Sequence, residues 1–265
     1  MGATYLTTQT INSITHTIVY ATPRGWKADG SKRGVIVVPG TAETTKSGLT
    51  VATALPLINQ ILAAGNPVAF FQASLDANGI GTCWANDSCY GFFDAAKSKL
   101  ASSYGAKSDK VITVGLSQGA LDALAYAGKN PANVAAVQAY LPNTNIAATQ
   151  ANSSYTATVN SAYGGSYSDS SYGATHSPDV MRTNSTNPYT MPINLVYAAT
   201  AGGDTSTDGV IPKSYPQGFA DGVNGRTGAS NVAMIFGGNT GHDWSVTTQA
   251  ASIASLKSLL AANGA

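Results

Sequence analysis

The chain has 265 residues, of which 43% are hydrophobic and 10% charged, with a formal net charge of +1. That length suits one large α/β domain over residues 1–265, and the charge balance offers no basic surface for nucleic acid. The longest apolar runs fall well short of the ~20 residues that span a bilayer, so no transmembrane segment is expected.

The opening stretch MGATYLTTQTINS lacks a positive n-region followed by an apolar h-region, so no signal peptide is visible. Charged residues are sparse against the ~25% of an average soluble domain. The acids are lopsided, with a single Glu, Glu43, and Asp for the rest. A surface solvated by hydroxyls and amides correlates with life outside the cytosol. The expectation is an extracellular or extracytoplasmic protein, secreted with its signal removed or carried on a larger particle.

Residues 10–22 alternate polar and apolar and read as a strand or hairpin. Gly34 to Gly40 (GVIVVPG) is a buried strand that stops abruptly. Residues 48–64 space apolar side chains at helical intervals until Asn66-Pro67 breaks them, and Val68 to Gln72 is a second buried strand. Cys83 and Cys89 in CWANDSC predict a small disulfide-closed loop in an oxidising compartment; two free thiols are the alternative. Two Cys and three scattered His do not supply the four ligands of a zinc site, so no metal is expected. Residues 90–103 read as a helix ending near Gly105, Lys110–Gly115 as a strand, and Ser117 to about Lys129 as a helix closed by Asn130-Pro131. Strands at Val134–Gln138, Pro192–Tyr197 and Asn231–Phe236 follow, then a helix from about Thr247 to Leu260. Strands alternating with helices predict an α/β fold: a mostly parallel, doubly wound sheet with helices on both faces and right-handed crossovers.

Residues 143–187 break this rhythm. They are rich in Ser, Tyr, Gly and Asn, with little apolar periodicity. Such a gap reads as a lid or cap insertion or as a solvated excursion. Its tyrosines, apolar with a polar tip, suit a surface facing substrate.

Gly115-Leu116-Ser117-Gln118-Gly119 matches G-x-S-x-G, with an apolar strand before it and a helical pattern after it. A nucleophilic serine needs such a strand-to-helix turn, with small neighbours that let the backbones approach. A serine hydroxyl also needs a base. His16 lies in the early alternating strand and reads as structural, and His176 lies in the polar insertion. His242 sits in GGNTGHD between the last strand and the last helix, where ligands of open α/β sheets bind. It is the expected base. The acid that orients it follows strand 192–197, where Asp204 and Asp208 compete; Asp243 is too near His242 in sequence to face it. An oxyanion needs two backbone N–H donors, expected from Gln118 and from Thr41 or Ala42 in the loop after the first buried strand.

The order Ser117, Asp208, His242, the GLSQG turn, the PGT loop after VIVV, DGVIP and GHD together resemble the α/β-hydrolase superfamily over nearly the whole chain from about Gly34. The resemblance favours Asp208 as the acid. It also implies antiparallel early strands from residues 10–22 and a cap inserted after strand 134–138. The PGTA loop departs from the HGGG-type loop of some lipases and esterases. The cysteine loop and low charge are reminiscent of secreted esterases, polyester depolymerases and phage-tail esterase modules. The activity implied is serine hydrolysis of a carboxylic ester without a cofactor. Cell-envelope lipids, acylated polysaccharides and polyesters are candidate substrates, and Trp84, Trp244 and the tyrosines near 155–172 are candidates for an apolar groove. The rival readings are a non-catalytic glycan or cell-surface binding protein on the same fold, and an amidase or peptidase.

Overall fold

The computed structural model describes residues 4–41, 54–72, 78–200, 207–227 and 231–265. In chain order the strands are β1 (Thr4–Ile11), β2 (Ile14–Ala21), β3 (Arg33–Val38), β4 (Val68–Phe71), β5 (Lys107–Leu116), β6 (Val134–Tyr140), β7 (Ile193–Tyr197) and β8 (Val232–Phe236). The long helices are α1 (Leu55–Ala63), α2 (Asp87–Tyr104) and α3 (Gln118–Lys129); between β6 and β7 come the short α4 (Ile146–Ala151), α5 (Thr156–Ala162), α6 (Ala174–His176) and α7 (Pro178–Met181). Two more helices, α8 (Ser214–Thr227) and α9 (Ala250–Asn263), complete the series.

The strands form one sheet in the order β1-β2-β4-β3-β5-β6-β7-β8. β1 and β2 form an antiparallel hairpin, and β2 also runs antiparallel to β4. From β4 onward every pairing is parallel. Asn12 and Ser13 join the hairpin with φ of 52° and 65°, the left-handed pair that a two-residue turn between twisted strands requires.

The apolar strands are continuous because both faces of the sheet are covered. On β3, Val35 and Val37 pack with Ile61 of α1 and Leu260 of α9. Ile36 and Val38 point the other way, into the layer holding Phe92 of α2, Leu121 of α3 and Phe219 of α8. This is the α/β-hydrolase fold.

The helix expected over 48–64 is described only from Leu55, since residues 42–53 lie outside the described part. α2 begins three residues before its apolar pattern does, because the Asn86 side chain caps it by accepting from the Cys89 N–H. α8 carries Gly218, Gly222 and Gly225, which hid its periodicity in the sequence. The final helix starts three residues late, after a short 3-10 turn over Trp244–Thr248 that Asp243 caps. Among the described residues no helix is long and apolar enough to cross a membrane.

Residues 143–187 form an ordered chain of short helices. Asn143 and Asn145 open it, with the Asn145 side chain capping α4 at the Ala148 N–H. The segment is tied by two bonds to the loop before α2, Asn86 to the Ala162 carbonyl and Tyr163 to the Trp84 carbonyl, and by one to α2 itself, Tyr90 to the Thr175 carbonyl. The solvated-excursion reading therefore gives way to a docked segment.

Candidate active site

β5 ends at Leu116, and the next residue turns the chain into α3 with a φ of 55° and ψ of −115° at Ser117. A non-glycine residue held there carries on the order of 1–3 kcal/mol of strain, sustained by packing on both sides. A Cβ on Gly115 would strike the Gly119 carbonyl, and one on Gly119 would strike the Pro39 carbonyl. Bare backbone at both positions is thus a steric condition for the turn. The Ser117 N–H is fixed by the Tyr140 carbonyl at 2.9 Å.

His242 reaches this hydroxyl from the loop after β8. That loop is anchored to β7 by Gly237 N–H to the Tyr197 carbonyl and by Ala199 N–H to the Gly238 carbonyl, and Gly238 takes a φ of 96°. His242 Nε2 stands 2.7 Å from Ser117 Oγ, and Nδ1 stands 2.7 Å from Asp208 Oδ2. The Asp208 carboxylate is buried; its Oδ1 accepts the Val210 and Ile211 N–H groups at 2.8 Å each. Burial alone would raise its pKa, but the His242 hydrogen bond and charge and the two backbone donors outweigh it, holding the group below the usual carboxylate value. Asp208 is therefore ionised beside the imidazole. Asp204 lies outside the described residues. Asp243 faces away and accepts from the Ser245 N–H.

Gln118 opens α3, so its N–H has no carbonyl one turn back in its own helix. Thr41 lines the cavity beside Ser117. Ala42, the other candidate donor, lies outside the described residues.

That cavity is small, about 120 Å³. Ser117, Gln118, Thr41 and Trp84 form one part of its lining, and Asn143, Ala148, Thr149, Asn152 and Tyr155 of the insertion another. Val210, Ile211, Pro212 and Tyr215, downstream of Asp208, complete it. Sequence reasoning reached Trp84 and Tyr155 as groove candidates but not the asparagines and threonine; Asn-rich turns carried no signal separating a pocket from a solvated surface. Trp244 sits instead in the core against Phe70. Tyr163, Tyr167 and Tyr172 pack against each other in a separate cluster.

The other two histidines are placed elsewhere. His16 packs on Phe92 at 4.2 Å and accepts from the Ile80 N–H. His176 stacks on Tyr90 and lies 3.3 Å from Asp87.

Cys83 and Cys89 meet as expected, both buried, with their sulfurs 2.7 Å apart and not bonded. Cys83 points its Sγ at the buried Asp122 carboxylate, 3.6 Å away. Burial pushes the Cys83 thiol up to about 11, so it carries its proton at neutral pH and serves as a donor there. Asp122 joins the two sulfurs in a group of metal-type donors within 4.8 Å of one another.

The sequence matches no protein-family model and none of the curated proteins. Solved structures do resemble it. The Pyrococcus furiosus esterase Pf2001 aligns with a TM-score of 0.68 at 15% identity, over 100% of this chain and 94% of its own. An S-formylglutathione hydrolase from Agrobacterium tumefaciens aligns with a TM-score of 0.72 at 12% identity, over 99% and 96%. A lipase/esterase from Lactobacillus plantarum aligns with a TM-score of 0.64 at 14% identity, over 98% of each chain. The architecture they share with this chain is the α/β-hydrolase fold. At such identities the likeness carries the fold, and the chemistry rests on the side chains.

Proposed function

We propose that this protein is a serine hydrolase of short-chain carboxylic esters, acting through Ser117, His242 and Asp208. The observation that carries the reading is the pair of 2.7 Å contacts running from Ser117 Oγ through the imidazole to Asp208. His242 Nε2 takes the hydroxyl proton as Oγ attacks the acyl carbon, while Asp208 holds the imidazole tautomer and balances the imidazolium. The tetrahedral oxyanion is stabilised by the N–H of Gln118 and by a second donor from the Thr41–Ala42 segment. His242 then returns the proton to the leaving alcohol, and water activated by the same base releases the acid.

The cavity supports a small acyl group. Its volume of about 120 Å³ favours a compact acyl group over a long chain. Acetyl-type esters on a polysaccharide fit this better than long-chain envelope lipids or a bulky polyester unit. Residues 143–187 act as the cap that sets this size, and the low charge content supports an extracytoplasmic setting.

The test is turnover of p-nitrophenyl esters from acetate to palmitate, alongside the matching anilides. Activity on acetate to butyrate that vanishes in Ser117→Ala is the expected result. Turnover of anilides in preference to esters would make the protein an amidase. Absence of any turnover would favour the non-catalytic binding protein.

A further inference from the structure

Directly behind the nucleophile lies a carboxylate that the acyl-transfer relay leaves unused. Asp122 is fully buried on α3, one turn after Gln118. Its Oδ1 accepts the Ala85 N–H at 2.7 Å, and its Oδ2 accepts from Gln118 Nε2 at 3.0 Å and from the Cys83 thiol at 3.6 Å. These partners belong to two elements beside the cavity, the loop before α2 and α3. Gln118 carries the expected oxyanion donor. Trp84 lines the cavity wall and Ala85 follows it in the chain; both are held left-handed, with φ of 46° and 59°. Two consecutive non-glycine residues in that region need an external restraint to stay there.

A buried carboxylate among neutral donors is costly in free energy, and burial pushes Asp122 up to about 7. An apolar residue would fill the space without that cost, so the carboxylate calls for a role beyond packing. Gln118 Oε1 is buried and has no partner among the described residues, so there the Gln118 amide is held from one side, by Asp122.

We propose that Asp122 is a positioning residue that locks the Trp84–Ala85 turn, and with it the wall at Trp84, to the oxyanion-binding start of α3, fixing the acyl pocket and Gln118 relative to Ser117. This rests on the esterase reading above. Asp122 touches neither substrate nor the reacting atoms. It acts through Ala85 and Gln118.

Three variants test this, with kcat and KM measured on p-nitrophenyl acetate and butyrate and normalised to sites titrated by a fluorophosphonate. Asp122→Asn keeps an acceptor for Ala85 and offers Nδ2 to Gln118 Oε1 once that amide rotates; its kcat stays within about threefold of wild type. Asp122→Leu removes the bonds to Ala85, Gln118 and Cys83. Per titrated site its kcat falls about tenfold, a fraction of the loss from deleting a direct oxyanion donor, and KM rises. Gln118→Met cuts only the link to α3 and keeps the wall, so kcat falls while KM stays within about twofold; it serves if the Leu variant does not fold. The inference is overturned if Asp122→Leu loses activity only in proportion to its titratable sites, if Asp122→Asn is as impaired as Leu, or if Gln118→Met keeps full kcat. Wild type that neither turns over these esters nor takes the phosphonate would instead overturn the esterase reading, and with it this role.

Discussion

The sheet and the insertion after β6 build one cavity by opposite means. The sheet side is held by burial: Val35, Ile36, Val37 and Val38 are fully enclosed between two helical layers, and Ser117, Asp208 and His242 sit at its strand ends. The insertion has few such anchors, Ile146, Val159 and Met181 among them. It is held by local side-chain bonds, such as Thr156 to the Gln150 carbonyl and Tyr167 to Asp169, and by its ties to the loop before α2. The difference teaches a division of labour. The Ser117, His242 and Asp208 side chains ride on the rigid layer, while the segment lining the other side of the cavity is held by hydrogen bonds and a few buried side chains.

If the division holds, the largest losses come from the rigid side. His242→Ala should lower kcat/KM by about 10⁴-fold or more with little change in melting temperature, since the base acts with Ser117 as a unit; steady-state kinetics and circular dichroism check both halves. Asp208→Asn should lower kcat by about 10³-fold or more, because the amide no longer enforces the tautomer; a mild phenotype would reopen the choice of acid. Tyr155→Ala, on the insertion, should change selectivity rather than chemistry, moving the optimum on the ester series toward longer acyl chains and altering KM several-fold with kcat largely kept.

The smallest effect is on stability. The Asp122 pKa is raised from ~4 when unfolded to about 7 when folded. Across that window the folded state holds the extra proton, so stability falls as pH rises, by at most ~1.4 kcal/mol per unit. Above both values the penalty is complete. Asp122→Asn removes the titration, so its melting temperature relative to wild type should be higher at pH 8 than at pH 5. Parallel curves would show that the carboxylate is relieved by its donors.

This contrast also explains what could be read in the sequence. GVIVVPG, VAFF and GLSQG announced themselves because two-sided burial demands unbroken apolar runs and because the turn at Ser117 demands glycine on each side. The order of Ser117, Asp208 and His242 then located the relay, with the choice of Asp208 over Asp204 leaning on resemblance. The insertion was legible only as an interruption. Helices of three to seven residues leave no 3.6-residue period, and their asparagine caps look like loop residues. Asp122 stayed hidden because a lone Asp in an Ala-rich helix reads as solvent-facing until its neighbours are known. The cysteines were correctly brought together, with their sulfurs 2.7 Å apart and not bonded.

The distances along the chain between the relay's members carry a last consequence. Ser117 and His242 are 125 residues apart, and His242 and Asp208 are 34 apart. Joining the first pair closes a loop whose entropy cost grows with the logarithm of its length, and a parallel sheet forms mainly through such distant contacts. The imidazole meets its serine only after β5 through β8 are laid side by side. Recovery of hydrolysis during refolding would therefore lag the return of helical signal and act as a clock for the final stage of assembly.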